Sequence, residues 1–211
     1  MDILVDAGFR EDQVAPIPFG CAPGLFAGPE LERDIDVLAA GFDAGRDYET
    51  FFAGISRLPV TVDLLCSPRN LEGLQVPSNV RVHGVVPYDR YRHMMRRSKI
   101  VAVPTRELAY PTGQSVALDA AAAGAALAVT GTTPLKEYFS EDNAVLISPG
   151  DSNGWGEALA SLLANRTRRE ALAAAAGIHV RTNHDYDNMW IAFTRQLRAH
   201  GLPAPQSDSP A

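Results

Sequence analysis

The sequence predicts one α/β domain in which a parallel β-sheet carries helices on both faces. Short apolar runs rich in β-branched residues alternate along the chain with segments of helical pattern, and this alternation is typical of a parallel sheet. The runs are almost continuously apolar, as expected of strands that are buried on both faces. With 211 residues, 46% of them hydrophobic, the chain is long enough to bury one complete core.

Six strands are predicted, at residues 35–40, 60–66, 80–83, 100–103, 127–130 and 145–147. Helices are predicted between and after them, at residues 47–58, 88–97, 115–123, 135–139, 154–164, 166–176 and 188–200. The last three helical segments follow the sheet, so we expect them to close the domain as surface helices.

The first 34 residues do not follow this alternation. Residues 1–7 look like the end of a helix that Gly8 stops, and residues 12–20 predict a lone strand before a connector rich in Pro and Gly. We therefore expect three parts. Residues 1–34 are the end of a preceding domain and a linker, residues 35–201 are the α/β domain, and residues 202–211 are a disordered tail rich in Pro and Ser.

Charge and cysteine content limit the function classes. The net charge of -6 argues against a nucleic-acid surface, which needs clustered Lys and Arg. The one basic cluster, residues 90–99, is interpreted as a solvated helix face, and the alternative is peripheral contact with an anionic membrane. Cys21 and Cys66 lack metal-ligand spacing and suit a reducing compartment. Without a signal peptide or an apolar span, we expect a cytoplasmic protein that at most touches the inner membrane face.

The strongest motif is a turn followed by an alanine-rich helix. Thr112, Gly113, Gln114 and Ser115 form the turn, and Asp119 lies one turn into the helix. The N–H groups and positive dipole end of such a helix favour a phosphate. Residues 115 and 119 share a helix face, so Asp119 could accept two ribose hydroxyls while the turn holds a diphosphate. The alternative interpretation is a solvated aspartate on a helix surface.

From residue 17 onward the chain resembles the C-terminal, donor-binding domain of retaining GT-B glycosyltransferases of family 4, also called glycosyl transferases group 1. The matching segments follow the family's order, at residues 17–20, 26–29, 118–124, 129–130, 136–138, 147–151 and 162–169. The resemblance implies a Rossmann-like fold that binds a nucleotide-diphosphate sugar at the carboxyl ends of its strands, with no cofactor and no metal. It also implies an N-terminal acceptor domain, which is missing from these residues.

The resemblance implies a set of donor-binding residues but assigns no catalytic residue. The family carries two glutamates separated by seven residues; Asp119 stands at the second position, which contacts the ribose, and Pro111 stands at the first. Glu107 lies twelve residues before Asp119, and a bent loop could bring it close. The expected donor-binding residues are Gly41, Arg46, Val86, Thr112, Gly113, Gln114, Ser115 and Asp119.

Arg46 falls where the family has a lysine that binds the diphosphate, and a guanidinium suits bidentate phosphate binding. The alternative is an exposed arginine beside the helix cap Asp47. Val86 belongs to the stretch at which the family's backbone holds the nucleobase. Asp185 and Asp187 imitate a metal-binding pair but precede a helix, where aspartate is a good cap, so no metal site is predicted.

The predicted function is the donor-binding half of a glycosyltransferase that passes a sugar, with retention, to a glycan, lipid or other acceptor in polysaccharide or glycoconjugate assembly. The alternative is a non-catalytic nucleotide-sugar binding module. We expect a fragment, a subunit that works with a separate acceptor-domain chain, or such a module. An NAD-binding protein is disfavoured because no Gly-x-Gly-x-x-Gly follows the first strand.

Overall fold

The computed structural model describes residues 2–204, with side chains from residue 4 onward. It contains a six-stranded sheet in the order β3-β2-β1-β4-β5-β6, and every neighbouring pair of strands is parallel. The strands are β1 (Ile35–Ala40), β2 (Val62–Leu65), β3 (Val80–Val82), β4 (Ser98–Val103), β5 (Ala126–Thr130) and β6 (Val145–Ile147). The parallel sheet expected from the sequence is confirmed, and β1 and β6 have the predicted bounds.

Helices cover both faces of this sheet. The α-helices of the described residues are α1 (Asp2–Asp6), α2 (Tyr48–Ile55), α3 (Tyr88–Arg97), α4 (Gln114–Ala122), α5 (Thr133–Lys136), α6 (Ser152–Ala164), α7 (Arg166–Asn183) and α8 (Tyr186–Ala199). One face packs on α2 and α6 through a cluster that includes Phe51 and Trp155. The other packs on α3, α4 and α7 through a cluster that includes Met95 and Leu118. The central strands are therefore buried on both sides, which explains their continuous apolar sequence.

The prediction of a lone strand at residues 12–20 is wrong. Glu11–Gln13 form a short 3-10 helix, and the residues that follow have no regular structure. Pro16 and Pro18 have no N–H to donate, which explains why this stretch does not pair as a strand. Pairing begins at Cys21, whose N–H donates to His184 O at 2.8 Å and whose carbonyl accepts from Tyr186 N at 2.8 Å. This pair of hydrogen bonds joins the segment before β1 to the α7–α8 junction.

Helix α7 runs to Asn183, seven residues beyond its predicted end. Gly177 does not stop it, because this glycine lies where α7 approaches α4 and a Cβ there would be 3.3 Å from Ala121 O.

Three helix starts carry aspartate caps: Asp47 accepts from Thr50 N, Asp151 from Gly154 N and Asp185 from Asn188 N. The interpretation of Asp185 as a cap is therefore confirmed.

Two residues of the basic cluster at residues 90–99 form ion pairs with aspartates at the start of β1. Arg97 pairs with Asp34, and Lys99 pairs with Asp36 at 2.6 Å.

Among residues 2–204, no helix combines the length and apolar character that crossing a bilayer requires. Of the predicted tail, residues 202–204 lie in neither helix nor strand, and residues 205–211 fall outside the described part.

The contact between α2 and α6 generates a stability prediction. A Cβ on Gly54 would lie 2.2 Å from the carbonyl oxygen of Ser152, which belongs to the helix backbone. We expect Gly54→Ala to lower the free energy of unfolding by about 2 kcal/mol, since overpacking costs about 1–3 kcal/mol and outweighs the gain in helix propensity. Urea unfolding measures this change. Gly24→Ala, whose Cβ would meet nothing within 4 Å, is the matched control; equal midpoints for the two variants would contradict the packing.

Candidate functional site

Two loops meet at the carboxyl edge of the sheet, where the neighbouring strands β1 and β4 end. The first loop, residues 41–47, joins β1 to α2, and the second, residues 104–113, joins β4 to α4. Backbone hydrogen bonds connect them: Asp47 N donates to Pro104 O at 3.1 Å, and Arg106 N donates to Gly45 O at 2.8 Å. The two loops therefore hold one another in place beside the start of α4.

Arg46 occupies the junction of these loops. Its side chain is only 3% exposed, and Nη2 lies 3.3 Å from a carboxylate oxygen of Asp43. The buried Nε and Nη1 atoms have no hydrogen-bond partner among the residues that the structure describes. Unsatisfied donors on a buried cation are costly. The arrangement leaves part of the guanidinium ready to bind an anion.

Two glycines make room for this guanidinium. A Cβ on Gly41 would lie 1.6 Å from Arg46 Nε, and a Cβ on Gly113 would lie 3.0 Å from Arg46 Nη1. Gly113 has φ +91°, in the left-handed region, and is the residue just before α4. The structure thus brings together three of the predicted donor-binding residues, Gly41, Arg46 and Gly113, at the start of α4.

Asp43 was not predicted as a site residue, although it lies between Gly41 and Arg46 in the sequence. Its carboxylate accepts hydrogen bonds from Thr112 Oγ1 at 2.7 Å and Gly45 N at 2.8 Å. Since it also faces Arg46, this one side chain orients the guanidinium and ties Thr112 to the first loop. The signal available in the sequence was a second charged residue in a short glycine-containing loop.

Asp119 lies on α4 and is half-buried. Tyr91 Oη, from α3, donates to Asp119 Oδ2 at 3.0 Å. Burial raises the pKa of Asp119 from 3.8 to about 6, and the hydrogen bond from Tyr91 acts in the opposite direction. Burial, with the neighbouring charge of Asp119 as a second cause, also raises the pKa of Tyr91 well above its ordinary value. The carboxylate therefore carries its charge in a poorly solvated place.

Tyr91 was a second site residue that the sequence did not reveal, because it lies in a segment dominated by basic residues. Its ring stacks against Tyr88 with a centroid distance of 5.8 Å, and Arg92 lies over the Tyr88 ring at 5.9 Å. Burial and the charge of Asp119 also raise the pKa of Cys21 to about 12. Tyr88, Tyr91 and Cys21 thus lie near the carboxylate of Asp119.

The remaining predicted residues lie on the same edge of the sheet but in different places. Gln114 and Ser115 begin α4, the former half-buried and the latter exposed. Val86, in the loop after β3, packs against the core cluster that contains Tyr91. Strand β2 separates β3 from β1. Val86 therefore shares a core cluster with Tyr91, and the strand that precedes it is not a neighbour of β1.

Glu107, which the sequence analysis considered as a neighbour of Asp119, binds Thr133 instead. Its two carboxylate oxygens accept from Thr133 N at 3.2 and 3.0 Å, which connects the loop after β4 to the start of α5. Thr105 N donates to Thr130 Oγ1 at 2.9 Å and reinforces the same connection. Pro111, at the position of the family's first glutamate, is exposed.

The family model described as glycosyl transferase-like matches residues 46–194, well over half of the chain. The chain belongs to this glycosyltransferase family. No curated protein matches the sequence. The matched span contains Arg46, the glycine turn and Asp119, and it ends within α8.

Solved structures show the same fold. The Anabaena protein HepE, in complex with UDP and glucose, superposes with a TM-score of 0.78 at 16% identity, over 94% of this chain and 60% of that one. Sucrose-phosphate synthase from Thermosynechococcus elongatus gives 0.75 at 20% identity, over 88% and 52%. The C-terminal domain of a glycosyl transferase group 1 family protein, LpcC, from Francisella tularensis gives 0.64 at 16%, over 79% and 99%.

The chain therefore spans less than two thirds of HepE and about half of the synthase, whereas it spans nearly the whole of the LpcC domain. These comparisons confirm the expected Rossmann-like GT-B domain. The assignment of donor-binding residues stays a prediction.

The raised pKa of Asp119 predicts how stability depends on pH. The folded state holds a proton between pH 3.8 and about 6 that the unfolded chain has lost, so stability falls as pH rises through this window and stays lower above it. We expect Asp119→Asn, which keeps an acceptor for Tyr91, to be more stable than the parent by about 1–2 kcal/mol at pH 7. Below pH 4 the two proteins should be equally stable.

Urea unfolding at pH 3.5 and pH 7 checks this prediction. The exposed Asp187, in the first turn of α8, supplies the control variant Asp187→Asn. A stability difference between Asp119→Asn and the parent that is the same at both pH values would show that burial of the charge is not the cause.

Proposed function

We propose that this glycosyltransferase domain binds a nucleotide-diphosphate sugar at the carboxyl edge of its sheet, and that it is the donor-binding half of the enzyme. The observation that carries the proposal is the buried guanidinium of Arg46, which has two unpaired nitrogens and lies against the glycine that precedes α4. A phosphate placed there would pair with the cation and with the helix start at once.

The diphosphate half of the site would use the first turn of α4. Ala117 N donates to Gly113 O at 3.0 Å and is the first N–H that the helix itself uses. The N–H groups of Gln114, Ser115 and Val116 precede it and have no carbonyl within the helix to bind. Together with the positive end of the dipole and Arg46, they supply donors that neutralise a diphosphate without a metal ion. The same groups would stabilise the diphosphate as it leaves the sugar.

The ribose half of the site would use Asp119. One of its oxygens already accepts from Tyr91, and an ionised carboxylate has about four lone-pair positions, so two ribose hydroxyls can still bind. Burial has removed part of the water around this carboxylate, and ligand hydroxyls would replace those lost hydrogen bonds. The presence of UDP and glucose in HepE, a structure of the same fold, supports a nucleotide sugar as the ligand class.

The proposed reaction is transfer of a hexosyl group, with retention, to a glycan, lipid or other acceptor in polysaccharide or glycoconjugate assembly. Residues 35–201 would form the donor domain and residues 1–34 the linker to an acceptor domain, which could be on the same chain or on a separate one. Transfer would take place in the cleft between the two domains. We place the reaction in the cytoplasm, with at most peripheral membrane contact.

A non-catalytic nucleotide-sugar binding module is the second candidate. Pro111 favours it, since the family resemblance calls for a glutamate near the sugar at this position, and the nearby Glu107 is already bonded to Thr133. Sugar release and transfer measured in the presence of an acceptor domain separate the two candidates. Binding without any transfer would favour the module.

Donor binding should not require a divalent cation. We expect titration calorimetry with UDP-glucose to give the same dissociation constant with EDTA and with Mg²⁺, because Arg46 and the helix start neutralise the diphosphate. Arg46→Gln should weaken binding at least about tenfold, which corresponds to one lost charge-assisted hydrogen bond. Arg81→Gln, which changes an exposed arginine on β3, is the control. Binding that appears only with metal would overturn the metal-free site.

Donor affinity should also depend on pH through Asp119. The ionised carboxylate accepts two hydroxyls, so affinity for UDP-glucose should rise as pH increases through about 6, the pKa of this group. A nucleotide sugar is the right probe because its diphosphate is a diester and does not titrate in this range. We expect Asp119→Ala to lose at least about tenfold in affinity and the pH dependence with it. Asp119→Glu should stay near the parent; unchanged affinity in Asp119→Ala would remove the ribose half of the proposal.

A further inference from the structure

A cavity of about 530 Å³ lies at the amino edge of the sheet, on the side opposite the proposed donor site. The segment before β1, the start of β4, the end of α4 and the first turns of α7 form its wall. We propose that this cavity is a second binding site, for a small phosphorylated anion, and that it is independent of the donor site.

Charge is the first argument. The side chains around the cavity include five cations and three carboxylates, namely Arg33, Arg96, Lys99, Arg166 and Arg169 with Glu30, Glu32 and Glu170. The surroundings are therefore positive, although the chain as a whole has a net charge of -6. Such a local reversal of sign attracts anions.

The pairing of these cations is the second argument. Lys99 and Arg166 form ion pairs with Asp36 and Glu170. The other three arginines donate to neutral backbone carbonyls: Arg33 to Ser98 O at 2.5 Å and Ala123 O at 2.8 Å, Arg96 to Pro29 O, and Arg169 to Leu162 O at 2.7 Å and Leu163 O at 3.1 Å. Among the side chains of residues 4–204, no carboxylate lies at ion-pair distance from these three guanidiniums. Their charge is therefore only partly offset, by the more distant carboxylates of the cavity wall such as Glu30.

The proximity of two of these charges supports the same conclusion. The pKa of Arg33 is lowered by burial and, as the second cause, by the charge of Arg96, while Glu30 acts in the opposite direction. The two guanidiniums therefore repel each other across the cavity wall. An anion between them would relieve that repulsion.

The backbone holds the two guanidiniums in fixed positions. Gly28 and Gly124 both have left-handed φ values, +143° and +74°. A Cβ on Gly28 would lie 3.0 Å from Arg96 Nη1, and one on Gly124 would lie 2.8 Å from Arg33 Nη2. Each glycine thus lets a guanidinium lie against the chain. Arg33 has five N–H groups and uses two of its nitrogens on carbonyls, so further donors remain for a ligand.

The size and chemistry of the cavity indicate the ligand class. Its volume is within the range of small-molecule sites. Guanidinium groups match the geometry of phosphate oxygens. The carboxylates of Glu30 and Glu32 at the same cavity would repel an extended polyanion. A compact phosphorylated compound fits these constraints better than a nucleic acid.

A titration with inorganic pyrophosphate followed by amide chemical shifts tests the proposal. We expect saturable shifts at Gly28, Lys99 and Gly124, and the same curve when Arg46→Gln disables the donor site. Shifts confined to Gly41 and Gly113 would overturn the second site, and so would the absence of a saturable response at the amino edge.

Variants at the cavity sharpen the test. Arg96→Gln should weaken pyrophosphate binding at this site about tenfold. Glu30→Gln should tighten it a few-fold, since Glu30 is exposed, lines the cavity and carries a charge of the same sign as the ligand. The control Arg81→Gln should leave the curve unchanged. Equal losses in Arg96→Gln and Arg81→Gln would show that general charge and not the cavity binds the anion. No gain in Glu30→Gln would place the bound anion away from this cavity and would also overturn the proposal.

Discussion

The buried guanidinium of Arg46 connects the parts of the carboxyl edge on which the candidate site depends. It lies against Gly41 at the end of β1 and against Gly113 at the start of α4, and it faces Asp43. A charge so far from water is tolerated only when neighbours compensate it, and a single carboxylate at 3.3 Å does so in part. The loops around it, their two glycines and the hydroxyl of Thr112 all have the positions that this guanidinium requires.

Asp119, further along α4, also depends on a neighbouring side chain for its position. Asp119 is held by a hydroxyl from α3, so the distance between α3 and α4 decides how well the carboxylate is oriented. Tyr88 stacks on the same tyrosine and extends the aromatic wall towards solvent. The phosphate and ribose parts of the proposed site therefore depend on different contacts. One depends on the β1 and β4 loops, and the other on the packing of two helices.

The sequence predicted the sheet well, because strands that pack on both faces are mostly apolar, and within residues 35–40 and 145–147 only Asp36 breaks this pattern. It also located the glycine turn before α4, since only glycine suits φ +91° there. It missed Asp43 and Tyr91. The hydrogen bonds to Thr112 and Asp119 join residues 69 and 28 positions apart, and no local pattern predicts such pairs, although the charged, glycine-containing loop around Asp43 was a local signal. The end of α7 was missed for a related reason, since a contact with α4 decides what Gly177 does.

The segment before β1 has one further property that follows from its two hydrogen bonds with the α7–α8 junction. Cys21 donates to His184 O and accepts from Tyr186 N, and a Cβ on Gly20 would lie 2.7 Å from Asp185 O. Phe19 N also donates to Tyr138 Oη at 2.9 Å, and the Tyr138 ring packs against His184 with a centroid distance of 5.0 Å. A displacement of residues 14–20 would therefore be transmitted first to the start of α8 and only then to the sheet. The segment before β1 and the start of α8 therefore share one anchoring point, which lies at Cys21.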